Sequence, residues 1–397
     1  MTSYDWIVVG NGIAGAAVSY ELARAGASVL LVERHPSLRG ATRYSYGGIA
    51  YWSGTTPLLR QLCQEGIDRH RQLADELGAA TGFRELDLIL TLPKDGNPEA
   101  IAATYADCWI PPQPLTPKAA QELEPLLNPE AIAGALTVKH GHVDPIQLIQ
   151  AYNQAFQRLG GVSCTATVTE LWRQGEQVQG VVTDTETIPS GNVLVCAGGL
   201  SRDLLQRAGL PVPQFFTHAE LIEIPGHHAL RTLVMPADMK RFDLETSASA
   251  PEKVPVWQQP GQEVVPSILD AGAIQFQAGR LILGQISRAL SDPFAPVDAA
   301  RSEAAIRASI SRILPSLSEL PGRWHHCLVA FSGDRLPLIG AIPAAAGVHI
   351  FSGFGNPFAI LPPLAQRFAV HVTQAPDEII SQLNPDRPSL SVQGQTT

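Results

Sequence analysis

The chain has 397 residues, 45% of them hydrophobic, and a formal net charge of −9. That length suggests two domains or one interleaved pair with a sizeable core, and the acidic balance excludes a nucleic-acid partner, since no basic face is available to neutralise phosphates. Five scattered cysteines without a C-x-x-C spacing exclude a disulfide framework and a zinc site, no apolar run is long enough to cross a bilayer, and no signal peptide precedes the first strand, so a reducing, cytoplasmic setting is expected.

The first element is a short apolar run, Trp6 to Val9, followed at once by Gly10, Gly12 and Gly15 in the spacing G-x-G-x-x-G. A helical segment carries Ala14, Val18, Leu22 and Ala25 on one face and stops at Gly26. A second apolar run, Val29 to Val32, ends in Glu33. This order is β-α-β with an acid at the tip of the second strand, the context that gives the glycine motif its meaning. Gly10 permits a tight turn, Gly12 lets backbone approach a pyrophosphate, and Gly15 allows close helix–strand packing. The helix N-terminus, at Ile13 and Ala14, offers N–H groups and partial positive charge to phosphates, and Glu33 accepts hydrogen bonds from ribose hydroxyls. The motif alone does not separate FAD from NAD.

After Arg34 comes a loop rich in Gly, Ser, Thr and Arg (residues 39–49) that can reach phosphates or a ribityl chain. Residues 57–78 read as an amphipathic helix ending at Gly78. A proline-rich stretch, 83–140, with strands and short helices, signals departure from the nucleotide-binding unit. His140 and His142 would share a face on a strand; the favoured reading is a turn into a helix beginning after Asp144-Pro145, with no metal site. That helix runs to about Leu159. A strand Cys164–Leu171, a hairpin, and an apolar strand Asn192–Gly199 ending in small residues follow. Residues 215–325 form a second strand-rich layer with a helix near 299–313. The run VHIFSGFGNPF (348–358) is a strand, a glycine turn and the start of a helix reaching about Val372, and from Gln374 the chain reads as a polar, loosely ordered tail.

With the N-terminal motif, VLVCAGG, DRLPLIG and FSGFGNPF in hand, the chain resembles the D-amino-acid oxidase family of flavoenzymes, which includes glycine oxidase, sarcosine oxidase and the D-amino-acid dehydrogenases, over nearly its whole length. The resemblance implies FAD, in an α/β, three-layer Rossmann-like domain (1–82, 141–214 and 326–375) interleaved with an α+β substrate domain of mainly antiparallel sheet (83–140 and 215–325), followed by a tail (376–397). It places Gly10, Gly12, Ile13, Ala14, Gly15, Glu33 and Arg34 at the ADP half, with Thr42, Arg43, Gly47 and Gly48 along the pyrophosphate and ribityl chain. Val168 falls at the adenine, Cys196, Ala197 and Gly198 near the pyrophosphate, and Gly353, Phe354, Gly355, Asn356, Pro357 and Phe358 at the edge of the isoalloxazine. There the start of the last helix offers positive potential to anionic reduced flavin.

The implied reaction oxidises the C–N bond of a small amine or amino acid by hydride transfer to flavin N5, giving an imine that hydrolyses. The electron acceptor is dioxygen or a quinone-like molecule, and a partner-dependent, non-catalytic FAD-binding protein is the alternative. The scarcity of lysine, with Lys240 and Lys253 as candidates near N5, makes a dehydrogenase credible. The family's carboxylate anchors are absent: Val329 and Pro357 occupy two of their positions and Tyr46 lies near a third. Arg43, Arg280 and Arg335 are the replacement candidates, Tyr46 and Arg335 being assigned to the catalytic set. Tyr44, Tyr46, Tyr51 and Trp52 line the substrate cavity or pack the core. Cys327 stands seven residues before Asp334, as does the cysteine that carries covalent flavin in sarcosine oxidase.

Overall fold

The computed structural model describes residues 3–95, 97–226 and 229–391. Along the chain the strands are β1 (Tyr4–Val9), β2 (Val29–Glu33), β3 (Gly48–Ile49), β4 (Arg84–Pro93), β5 (Gln113–Leu115), β6 (Ile132–His142), β7 (Val162–Thr165), β8 (Val168–Gln174), β9 (Gln177–Thr183), β10 (Thr187–Val195), β11 (Gln214–Ile224), β12 (Leu233–Pro236), β13 (Glu263–Gln275), β14 (Leu281–Leu290), β15 (Arg323–Ser332), β16 (Leu338–Ala341) and β17 (Val348–Ser352). The helices are α1 (Ile13–Arg24), α2 (Ala41–Tyr44), α3 (Pro57–Leu77), α4 (Pro98–Ala103), α5 (Pro117–Leu123), α6 (Pro145–Arg158), α7 (Ser201–Arg207), α8 (Lys240–Ala248), α9 (Ala299–Ile313), α10 (Pro357–Thr373), α11 (Glu378–Gln382) and α12 (Pro388–Ser391).

Helix boundaries follow local chemistry. The Thr56 hydroxyl accepts from Leu59 N at 3.2 Å to start α3, Pro57 takes its first position, and Gly78 ends it in a left-handed conformation (φ 58°). Asp144 caps α6 through Ile146 N at 2.9 Å, and Asp298 caps α9 through Arg301 N at 3.1 Å.

The strands assemble two sheets. The first runs β16-β17-β10-β1-β2-β7, parallel from β17 to β7, with β9 antiparallel to β10 and β8 to β9. Its central strands carry apolar runs, Trp6 to Val9, Val29 to Val32 and Val193 to Val195, because both faces are buried there, whereas β7 at the edge is largely exposed. On one face α1, α3, α6 and α10 contribute Leu22, Leu62, Tyr152, Phe156, Leu364 and Phe368 to a core shared with Trp6, Val8 and Leu31. The other face is covered by the β8–β9 hairpin and α7 rather than by a helical layer, through Leu171, Val178, Val181, Leu204 and Leu205. Each fully buried side chain of this size stabilises the fold by about 1.5–3 kcal/mol.

The second sheet has the order β15-β11-β14-β13-β12-β4-β6-β3, with β5 beside β6. Its pairs are antiparallel except β12 with β4. The expected boundary at residue 326 falls inside β15, which pairs with β11 from Gln214↔Ser332 to Glu223↔Arg323 and so lies wholly in the second sheet.

Three local expectations are corrected. The strand expected over 164–171 is two strands: Ala166 N still bonds to Glu33 O, but Thr167 N turns to the Asp184 side chain, which ends the ladder, so β7 joins β2 while β8 turns into the hairpin. His140 and His142 lie on β6, not in a turn, because the strand pairs with β4 as far as Arg84↔His142. The segment after Gln374 is not loose as far as 391: Ile379, Ile380 and Leu383 join the first core, and Arg387 makes a bidentate pair with Asp334 at 2.6 and 2.7 Å. Residues 392–397 of the expected tail lie outside the described residues.

Candidate active site

Where the two sheets meet, one continuous cavity of about 1640 Å³ opens. It has three parts, each built by a different piece of chain.

The first part is a cradle at the carboxyl ends of β1, β2 and β10. Gly10 turns with φ 105°, and a Cβ on it would stand 2.7 Å from Cys196 O. A Cβ on Gly15 would overlap the Gly10 carbonyl oxygen, so that residue lets α1 pack on β1 and does not itself line the cavity. Gly12, Ile13 and Ala14 do line it, at the start of α1. Gly12 is the N-cap and has no side chain to cover the first-turn amides; Ile13 N donates to Thr42 Oγ1 at 3.1 Å. Glu33 accepts from Asn11 N at 2.9 Å and His35 N at 3.1 Å, which fixes its carboxylate at the cavity wall beside Arg34. Val168, Cys196, Ala197 and Gly198 complete the rim, with Gly198 O held by Gln214 Nε2 at 2.9 Å.

The second part is the start of α10. Gly353, Phe354, Gly355, Asn356, Pro357 and Phe358 line the cavity there. Asn356 is the N-cap; Pro357 has no N–H and Ala359 N bonds to Asn356 O at 3.2 Å, so the Phe358 amide is the one that the Asn356 side chain leaves uncapped, its Nδ2 donating instead to Ala50 O at 3.2 Å. Two helices of 12 and 17 residues thus aim their positive ends at one cavity. His70 Nε2 and Phe358 O lie 2.7 Å apart and fix α10 against α3.

The third part is an apolar compartment against the second sheet, walled by Leu88, Leu90, Leu221, Leu233, Met235, Trp52 and Tyr105. Tyr44, Tyr46 and Trp52 face the cavity, whereas Tyr51 packs in the first core. The Tyr46 hydroxyl lies 3.1 Å from Gly272 O and 3.0 Å from Gly284 O, and burial pushes its pKa far up. That hydroxyl is engaged by the sheet, so the expected catalytic Tyr46 presents a ring, not an acid or base.

The three arginines expected to replace the missing anchors diverge. Arg43 does not line the cavity. Its guanidinium pairs with Glu223 at 2.9 Å, and Glu223 also draws in Arg280 (3.8 Å) and His325 (3.3 Å). Arg280 is further held by Asp144 at 3.4 Å and by the Phe276 ring 3.8 Å away. This cluster ties α2 and α6 to the second sheet. Gly47 is likewise behind the wall, with φ 68° and its carbonyl accepting from Val143 N at 2.9 Å. Arg335 lines the cavity but is tethered to α8 through Thr246 Oγ1 at 2.9 Å.

The sequence reading missed Arg241. It lines the cavity on α8, with Nη2 3.4 Å from Gly355 O and Nε 3.6 Å from Glu245. Asp270 accepts from Lys240 N at 3.2 Å and Arg241 N at 3.1 Å and so holds the start of α8 in place; burial pushes its carboxyl pKa up, and those two backbone bonds oppose the rise. No motif marks Arg241, which reaches the cavity because its side chain meets Gly355, 114 residues away in the chain. Lys240 also lines the cavity, largely in solvent and 3.8 Å from Asp238, while Lys253 does not. Cys327 lies at the wall with a buried thiol whose pKa burial pushes up to about 12. Among the described residues no group of three or more His, Cys, Asp or Glu gathers as a metal site.

The cradle fits a dinucleotide on its own terms: glycines where a Cβ would clash, uncapped helix amides, and a carboxylate fixed at the end of β2. Comparisons with known proteins point the same way. The sequence profile of the DAO family, described as "FAD dependent oxidoreductase", matches residues 5–370. A curated relative, 4-methylaminobutanoate oxidase (formaldehyde-forming) of Paenarthrobacter nicotinovorans, is 28% identical over 228 residues, 55% of this chain and 28% of that one. Mitochondrial dimethylglycine dehydrogenase of Homo sapiens is 26% identical over 215 residues, 53% of this chain and 25% of that one. The matched region thus spans less than half the length of these curated relatives. Among solved structures, glycine oxidase from Geobacillus kaustophilus superposes with a TM-score of 0.79 at 20% identity, covering 98% of this chain and 99% of that one.

Proposed function

The chain belongs to the DAO family of FAD-dependent oxidoreductases, and from that premise we propose that it oxidises the C–N bond of a small amine or amino acid held in the apolar compartment. The observation that carries this reading is the continuity of one cavity from the dinucleotide cradle, past the α10 N-terminus, to the compartment on the second sheet. FAD bound in the cradle supplies a two-electron hydride acceptor.

The protein's own groups supply binding, orientation and electrostatics. Gly10, Gly12, Thr42 and the start of α1 hold the pyrophosphate, Glu33 the ribose, and Val168, Ala197 and Gly198 the rim on the adenine side. The first turn of α10 stabilises negative charge that develops nearby. Leu88, Leu90, Leu221 and Leu233 exclude water and favour an uncharged amine over its cation, so no dedicated base is required. Arg241 takes the place of the absent carboxylate anchors, with Arg335 behind it. The relative that acts on 4-methylaminobutanoate supports an N-methylated substrate with a remote carboxylate. Flavin attachment is non-covalent, since a thiol as buried as Cys327 gives little thiolate.

The test is anaerobic: the purified protein is mixed with glycine, sarcosine, D-amino acids and N-methyl amino acids, and bleaching of the flavin band is followed. Bleaching by at least one amine, with imine-derived aldehyde or ketone formed in equal amount, supports the reading. Bleaching by none of them, in protein that dithionite reduces normally, contradicts it. Lys240, the only lysine lining the cavity among the described residues, is paired and solvated, which favours a quinone-like acceptor over dioxygen. Reoxidation faster in air than with a quinone analogue would exclude that second reading.

A further inference from the structure

We propose that His140 donates a hydrogen bond from Nε2 to the bound flavin where the ring passes Gly48, and thereby raises the flavin's reduction potential. The inference rests on the flavin reading of the cavity.

Trp52 Nε1 lies 3.0 Å from His140 Nδ1. An indole nitrogen can only donate, so Nδ1 is the acceptor and the neutral ring must carry its proton on Nε2. The imidazole is buried, and burial pushes its pKa down to about 3, so it stays uncharged and cannot serve as a base through either nitrogen. His140 and Gly48 both line the cavity, and Nε2 is the ring atom that lies against Gly48, where a Cβ would stand 2.7 Å from it. No protein acceptor meets Nε2 among the described residues. A fixed donor is thus presented to the cavity.

Its place along the cavity indicates what it meets. Thr42, at the phosphate end, and Ala50, whose carbonyl is tied to Asn356 at the α10 N-terminus, bracket Gly48 on the same stretch of chain. A dinucleotide lying in the cradle with its redox end at the α10 N-terminus would run along that stretch, and Gly48, expected beside the ribityl chain, stands closer to Ala50 than to Thr42 in the chain, so the acceptor that Nε2 would meet there is a ring oxygen or nitrogen of the flavin. A donor there favours the more electron-rich reduced state.

The experiment measures the two-electron midpoint potential of the FAD-loaded protein by equilibration with a reference dye. In H140L the reduced flavin becomes about tenfold less favoured, a fall of about 30 mV. H140Q, which keeps an N–H donor, recovers at least half of that. W52F, which frees the tautomer, moves the potential the same way, and it reads the proposal if H140L does not fold. H142N is the control: its ring is on the same strand but bonds Arg84 Nε at 3.3 Å, and its potential stays at the wild-type value. A less than twofold shift in both H140L and W52F overturns the proposal, as does an equal shift in H142N. Protein that binds no flavin at all overturns the cofactor reading instead, so the two failures are distinct.

Discussion

Single side chains hold the cradle in shape. Glu33 bridges the backbone of Asn11 and His35, so it positions the glycine turn as well as facing the ribose. Glu33→Ala removes both roles and is expected to weaken FAD binding about tenfold or more, measured by fluorescence titration of the apoprotein. At the other end of the cavity, Arg241→Gln is expected to raise KM about tenfold for carboxylate-bearing amines with little change in kcat, because it removes binding that ground state and transition state share. Arg335→Gln, already tethered to Thr246, should change KM less. A larger effect of Arg335→Gln would move the anchor to Arg335, and equal effects would divide it between the two.

Elements explain what could be seen in advance and what could not. The β1-α1-β2 unit was legible because its determinants are local: three glycines, a helical stripe and an acid within 28 residues of chain, Trp6 to Glu33. The α10 N-terminus was legible for the same reason. Arg43 was misplaced because its partner Glu223 is 180 residues away, and nothing near Arg43 signals that pairing. The last helices were missed because their polar composition hides Ile379, Ile380 and Leu383, which bury against α10 and β16 only after the chain has folded. Arg241 was missed because the residue it meets beside α10, Gly355, is 114 residues away, and α8 itself packs on β13 and β14 of the second sheet. At the element scale the sharpest prediction concerns α1 on β1. Gly15→Ala forces a methyl into the Gly10 carbonyl and is expected to cost about 1–3 kcal/mol or more in urea denaturation, with loss of flavin. Wild-type stability in that variant would mean that the helix and strand are less tightly apposed than described.

At the scale of the molecule, two sheets share one cavity, and the chain after residue 374 closes back on the first of them. Burial tends to raise the Asp334 carboxyl pKa, but the hydrogen bonds from Arg387 and Ser389 outweigh it and hold that pKa below its ordinary value. A depressed folded-state pKa gives stability that is present above the unfolded-state pKa of about 3.9 and is lost as pH falls through the folded one. Asp334→Asn should therefore lower Tm at pH 7, and the gap to wild type should close below about pH 4. A gap that stays constant down to pH 3 would show that the contact contributes through packing alone.

The cavity as an FAD site is tested most directly by the absorbance spectrum of the purified protein, before and after acid precipitation. The expected result is a yellow protein whose flavin bands pass to the supernatant as FAD, establishing the cofactor and its non-covalent attachment. Flavin that stays with the pellet would contradict the attachment and point to Cys327. A colourless protein that takes up no FAD on mixing would contradict the account at its centre.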